Sequence, residues 1–368
     1  MTMKLYTKDL TLQTVKDSDI NEVARMWAFG QGPVSLEEAA KAIDYMHNNH
    51  RQNKEGKIYH LCFAVFEKGN NKIIGWCGLD GKTDGKLYIF YLIDTAYRNK
   101  GYATQCAARL LEYAFDEAKV PFVNGGCDKD NVASYKVMVK ISMKQDGFEE
   151  NGDPLFYLDY ETYRNRKTIN ELTENFAKRN IDVLWFGTFE DVKNYLLQEI
   201  PSGASVGIGN SKTLKRMEIT KALYARGNVV CDKTLGKTQE EVRELKRNAL
   251  LTDCYISGSN AVSVDGRIVN IDHSGNRVAA IAFGPDKVYI VISKNKITAT
   301  HYEAMKRARD VSALLNAKRA GFNPPCVVAG HCMDCNSPER VCYTVSITEG
   351  QHVKGRLTLL VANEDEGF

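Results

Sequence analysis

Two α/β units of different construction are predicted: a mixed α+β domain in the first half of the chain and an open, mostly parallel α/β sheet in the second. Three observations predict them. Apolar runs between residues 10 and 93 are joined by short turns such as Lys68-Gly69-Asn70-Asn71, the pattern of antiparallel hairpins. The dense run Leu87–Ile93 passes through a basic, glycine-containing turn, Tyr97-Arg98-Asn99-Lys100-Gly101-Tyr102-Ala103, into a helical pattern. Beyond residue 165, strand and helix patterns alternate, which argues a parallel sheet covered by helices.

Composition narrows the class. The 368 residues are 43% hydrophobic and 26% charged, as in a soluble globular protein, and the net charge of only +3 gives no sign of a nucleic-acid partner. No apolar run reaches the length that spans a bilayer. Met1–Tyr6 has no signal-peptide core. The expectation is a cytoplasmic protein acting without nucleic acid or membrane.

In the first domain, Leu10–Val15 alternates as a strand. Asp17-Ser18-Asp19 offers caps for a helix through Ile20, Val23, Met26 and Trp27, and Glu37–Asn48 carries a second helix. Strands follow at Ile58–Phe66, Lys72–Leu79 and Lys86–Ile93. The next helix buries Ala103, Cys106, Ala107, Leu110, Leu111, Ala114 and Phe115 on one face. At its start several backbone N–H groups have no intrahelical partner, and the helix dipole adds partial positive charge. Such a junction suits an anion such as a phosphate. Gly101 lets the backbone come close, Ala103 keeps the first turn uncrowded, and Arg98 and Lys100 add charge.

Arg98-x-x-Gly101-x-Ala103 resembles the acetyl-CoA pyrophosphate loop of the GNAT acetyltransferases, and residues 1–163 follow that family's order. A second stretch, Asp130–Lys140 before Met143–Phe148, resembles the cofactor motif of the branch containing the ribosomal-protein N-terminal acetyltransferases. The resemblance implies acetyl-CoA as cofactor, held by Leu92, Ile93, Arg98, Asn99, Lys100, Gly101, Tyr102, Ala103, Asn131 and Ser134. It implies direct attack of an amine on the thioester. On its own, Asn131 reads as the cap of a helix burying Val137, Met138 and Ile141. Ser142 stands where the family usually has Gly, Gln105 where it commonly has Glu, and Met138 near the position of its tyrosine acid, with Tyr135 close in sequence. No catalytic base is assigned. The acceptor is open between a protein N-terminus, a lysine and a small amine.

The polar run 161–166 marks the expected boundary, with the second domain over 165–368. Its expected elements are a helix through Ile169, Leu172 and Phe176, then Ile181–Phe186, Phe189–Ile200, Ser205–Gly209, Leu214–Tyr224, Val229–Cys231, Glu240–Leu251, Cys254–Ser257 and Lys287–Ser293 in strand–helix alternation. In such sheets ligands sit at the carboxyl ends of strands. Three segments there are rich in glycine and polar groups: Gly207–Thr213, Gly258–Ala261 with Asp265-Gly266, and Asn270–Arg277. They supply the candidate ligand residues Gly207, Gly209, Ser211, Thr213, Asn260, Asp272, Asn276 and Arg277. Each is also an ordinary turn by composition.

The run Ser257–Asp272, with Gly275–Ala280, Phe283-Gly284-Pro285 and Asn295-Lys296-Ile297, resembles the LUD (lactate-utilisation domain) family. The resemblance implies a fold related to CoA-transferases and sugar-phosphate isomerases, and a link to lactate oxidation with iron–sulfur partner subunits. It implies no reaction. His273 stands where that family has a small residue, and a lone His in a polar loop reads as surface.

Cys326-x5-Cys332-x2-Cys335-x6-Cys342 gathers four of the ten cysteines in a loop-like segment. In a cytoplasmic chain disulfides are disfavoured, and four convergent thiolates suit zinc or an iron–sulfur cluster. A redox pair of Cys332 and Cys335, or a reduced structural cluster, stays open beside metal. The segment is followed by strands at Tyr343–Ile347 and Arg356–Val361. The expected protein is an acetyl-CoA-dependent N-acetyltransferase fused to a LUD domain. The alternative is an acyl-CoA-sensing or scaffold module attached to a metal or redox LUD protein of lactate oxidation.

Overall fold

A computed structural model describes residues 2–26 and 32–367, so Trp27 of the expected first helix lies outside the described residues. The chain divides into two compact units, 1–166 and 167–368. The polar run 161–166 is helical and belongs to the helix Tyr160–Ala177.

Among the described residues the first unit carries one sheet of β1 (Lys4–Tyr6), β2 (Leu10–Thr14), β3 (His60–Glu67), β4 (Ile73–Gly81), β5 (Leu87–Ile93), β6 (Phe122–Gly126), β7 (Lys144–Phe148) and β8 (Pro154–Asp159), in the order β1-β2-β3-β4-β5-β6-β8-β7. Neighbours are antiparallel except β5 and β6. Strand β3 shows why both faces are covered. Leu61, Phe63 and Val65 join the core under the helix Tyr102–Glu112, whereas Cys62 and Ala64 join a second core under the helices Ile20–Met26 and Leu36–His50. Alternation of period two puts an apolar side chain on each face at every step. Asp17–Asp19 form a short 3-10 turn rather than a cap, closed by Asp19 accepting from Lys16 N at 2.9 Å.

Strands β5 and β6 part early. Strand β4 pairs with β5 over its whole length, but β6 pairs with β5 only at Tyr88↔Asn124. Past Tyr88, that edge of β5 has no strand against it among the described residues, which opens a wedge in the sheet.

The second unit holds a parallel sheet of β9 (Asp182–Phe186), β10 (Ser205–Ile208), β11 (Val229–Asp232), β12 (Cys254–Gly258), β15 and β18. A smaller sheet contains β13 (Ala261–Ser263), β14 (Arg267–Asp272), β16 and β17. Here β15 is Lys287–Ser293, β16 Ile297–Thr298, β17 Thr344–Thr348 and β18 Leu357–Ala362. The parallel sheet runs β11-β10-β12-β15-β18-β9 and the smaller one β16-β13-β14-β17. In the parallel sheet Tyr289 and Val291 enter the core under the helices Phe189–Glu199 and Ile219–Ala225, while Val288, Ile290 and Ile292 enter the opposite core with Leu172 and Phe176. Burial on both faces explains the unbroken apolar run of β15.

Two expectations are corrected. The single helix expected over Leu214–Tyr224 is two, Lys212–Arg216 and Ile219–Ala225, broken where Glu218 takes a left-handed φ of 50°. The segments around Gly258–Gly266 and Asn270–Arg277 are not merely turns: they contain β13 and β14. Of the two strands after the cysteine segment, only β18 joins the parallel sheet, while β17 pairs with β14.

Candidate functional site

In the first unit, the turn before the helix Tyr102–Glu112 is built by two left-handed residues, Asn99 at φ 64° and Gly101 at φ 77°. A Cβ added to Gly101 would meet nothing within 4 Å, so the concave side of the turn is open. The first N–H groups of the helix have no intrahelical partner. Arg98 braces the turn, its Nε donating to Ile93 O at 2.9 Å. Lys100 sits 3.2 Å from Glu67, to which Tyr102 also donates at 2.6 Å. That pair of donors holds the Glu67 carboxyl below its usual range. Leu92 and Ile93 end β5 beside the wedge, and Ala103 lies in the first helical turn.

Asn131 and Ser134 lie across the wedge at the start of the helix Val132–Lys140. The Asn131 side chain is engaged as the cap, accepting from Ser134 N at 3.0 Å. Ser134 Oγ shares a 2.9 Å hydrogen bond with Tyr91 OH, which lashes β5 to this helix. Burial pushes the Tyr91 hydroxyl up to about 12, so it stays a donor. Met138 is core and Tyr135 donates to Gln145 at 3.1 Å, so neither supplies an acid at this point. Ser142 has a left-handed φ of 70°, the conformation that glycine adopts most readily. Gln105 ties down the β1–β2 turn by accepting from Thr7 Oγ1 and donating to Asp9, each at 2.8 Å.

Sequence reasoning missed a cavity of about 500 Å³ on the same domain, lined by His60, Asp80, Asp84, Tyr88, Phe90 and Glu149 among others. It opens where β5 and β6 part. His60 and Asp80 face each other across the β3–β4 register, with Nδ1 and Oδ1 2.9 Å apart. The buried His60 Nε2 has no hydrogen-bond partner among the described residues. Burial works against the Asp80 charge, but His60 and Lys82 outweigh it and hold the carboxyl below its usual range. Three carboxylates against one ammonium, Lys82, in the lining leave an acidic cavity that suits a cationic amine.

In the second unit, a cavity of about 230 Å³ sits past the carboxyl ends of β10, β11, β12 and β15, where the chain's direction of sheet growth switches between β10 and β12. Five of the expected residues line it: Ser211, Asn260, Asp272, Asn276 and Arg277. Arg277 donates to Gly258 O, Ile271 O and Asn260 Oδ1. Gly207 and Gly209 do not line it. A Cβ on Gly207 would fall 2.6 Å from the Tyr255 ring, and one on Gly209 2.6 Å from Ser257 Oγ, so both serve close packing against β12. Thr213 is fully buried beneath the cavity. His273, expected at the surface, is exposed and stands at the rim. Lys233, Lys246, Lys296 and Arg319 also line it and were not anticipated.

Comparison with known proteins fits both halves. Residues 9–144 match the model of the acetyltransferase (GNAT) domain, and residues 169–362, more than half the chain, match that of the LUD domain. The chain belongs to the LUD family. Its first half carries a GNAT domain. Similar curated proteins include the uncharacterized N-acetyltransferase YnaD of Bacillus subtilis (strain 168), 40% identical over 116 residues that make up 31% of this chain and 64% of that relative. The uncharacterized N-acetyltransferase p20 of Bacillus licheniformis is 21% identical over 39% of this chain and 83% of its own length. A GNAT-family acetyltransferase structure from Bacillus anthracis aligns with 43% of this chain and 99% of its own at 21% identity, with a TM-score of 0.36.

The LUD domain brings Cys326, Cys332, Cys335 and Cys342 to one small cavity of about 20 Å³, with Arg309 and Arg340. Burial and the neighbouring Cys335, Cys342 and Cys332 push the Cys326 thiol up. Convergence stops short of a ligand set: among the described residues no three His, Cys, Asp or Glu side chains sit close enough together to hold a metal ion. No described helix is long and apolar enough to cross a membrane.

Proposed function

We propose that the GNAT domain transfers acetyl from acetyl-CoA to an amine. The observation that carries this reading is the left-handed, open turn at Asn99–Gly101 feeding a helix N-terminus beside a parted strand edge. The turn receives the pyrophosphate, with charge from Arg98 and Lys100. The free edge of β5 at Leu92 and Ile93 aligns the acyl arm. The amine enters through the acidic cavity, and His60, oriented by Asp80, takes the amine proton through Nε2 as the nitrogen attacks the thioester carbon. The nitrogen–acetyl bond forms, the carbon–sulfur bond breaks, and the thiolate leaves as CoA. Release of CoA thiol from acetyl-CoA that depends on an added amine tests this. A panel spanning N-terminal peptides, lysine peptides and small amines also separates the acceptor classes.

We propose further that the LUD cysteines form a metal site, zinc or iron–sulfur, by drawing in the segment 326–342. Four thiols sharing one cavity support this reading. Protein purified without oxygen is expected to hold either one zinc and no colour, or several irons with visible thiolate-to-iron absorption. Metal-free protein with titratable thiols would leave the cysteines as a redox pair or as packing.

A further inference from the structure

Six cationic side chains, Lys212, Lys233, Lys246, Arg277, Lys296 and Arg319, line the LUD cavity, and Asp272 is the one carboxylate among its described lining residues. Asp272 is already engaged, accepting from His273 N at 3.0 Å and Arg277 N at 2.9 Å. A single, already engaged carboxylate therefore faces five cations besides Lys212 among the described lining residues. Crowding like charges into a recess is unfavourable in the empty protein and becomes favourable when an anion arrives.

The floor of the cavity is more specific than the charge. Lys296 is 4% exposed, and its Nζ makes one hydrogen bond, to Ser259 O at 3.1 Å, with no carboxylate partner among the described residues. Burial pulls its amine down to about 7, and Arg307 and Arg277 add to the effect. A buried ammonium without a counter-ion is costly, and proteins keep one where a ligand needs it. Asn210 Oδ1 in the lining and Thr213 Oγ1 behind it are buried without hydrogen-bond partners among the described residues. A Cβ placed on Gly367 would lie 3.1 Å from Thr213 Oγ1 and 3.2 Å from Lys296 Nζ, so both groups lie against the Gly367 backbone at the cavity wall.

We propose that this cavity binds a small phosphate ester, with Lys296 holding its phosphoryl oxygens and Lys233 and Arg277 supplying charge around them. A carboxylate brings one charge and two oxygens. A phosphoryl group brings nearly two charges and three strong acceptor oxygens, the better match to this excess of donors. Asn260, Asn276, Asn316 and Ser312 give the remaining wall the hydrogen-bonding groups for a polar, hydroxyl-bearing remainder.

Calorimetric titration of the full chain with glycerol 3-phosphate and with inorganic phosphate, at about 0.15 M salt, tests the proposal, with citrate as a phosphate-free polyanion. The expected result is one site for the ester with Kd at or below about 1 mM, and weaker binding of citrate. Lys296→Met and Lys233→Gln are each expected to weaken ester binding at least about 10-fold while leaving CoA binding by the GNAT domain unchanged. Lys296→Met is also expected to melt no lower than the wild type, because it removes an uncompensated buried cation. A purely structural lysine would give the opposite shift. If Lys296→Met does not fold, Lys233→Gln on its turn carries the test. No ester binding by 10 mM (about 10 times the expected Kd), binding that the folded variants retain in full, or citrate binding tighter than the ester would each overturn the proposal.

Discussion

Gly101→Glu is expected to lower acetyl transfer by at least about 100-fold, equivalent to roughly 2.7 kcal/mol of transition-state stabilisation. Two effects act together. Gly101 holds φ 77°, a conformation that costs an L-residue with a side chain about 1–2 kcal/mol. The new side chain projects into the space that is open within 4 Å of the added Cβ, where a pyrophosphate would sit, and brings a like charge. Gly101→Asn separates the two effects, because asparagine tolerates the left-handed region and is neutral. It is expected to retain most of the activity. The check is kcat/KM for acetyl-CoA alongside direct CoA binding. A glutamate variant that still binds CoA at wild-type affinity would place the cofactor elsewhere.

Asp80→Asn is expected to reduce kcat about 10²-fold with little change in the KM for acetyl-CoA. The carboxylate fixes the His60 ring through the 2.9 Å contact at Nδ1, leaving Nε2 to accept a proton. Asparagine keeps the size of the side chain but not its charge, so the histidine loses its charged acceptor, an amide NH2 can take that place instead, and Lys82 loses its ion pair. A structural role alone would lower thermal stability and leave the kcat of the folded fraction intact. Acetyl transfer at full rate with a normal pH profile in Asp80→Asn would remove His60 from the mechanism.

Much of the frame was legible because it is written locally. The hairpins around Lys68–Asn71, the basic turn at Arg98–Ala103 and the apolar run of β15 each sit within a dozen residues of sequence, and each folds as its pattern implies. What was not legible depends on register and on distant pairing. His60 and Asp80 are opposite one another only because β3 and β4 pair in one register. Strand β13 has three residues, too few for a pattern, and is held by β14 and β16. The break at Glu218 lies in a continuous helical spacing with no glycine or proline to announce it. The basic cavity of the LUD domain draws Lys233, Lys246, Lys296 and Arg319 from separate segments, so no single stretch carries its charge. Conversely, Gly207 and Gly209 had the look of a ligand loop because close packing and close ligand approach call for the same residue.

The most direct test of the central claim is a balance made on one reaction: CoA released from acetyl-CoA against acetyl groups gained by the amine acceptor. Equal amounts from the wild-type protein, and neither from Gly101→Glu, are the predicted result. Saturable binding of CoA, with no thiol released and no acetyl gained across the acceptor panel, would contradict the enzyme and leave an acyl-CoA-sensing domain attached to the LUD half.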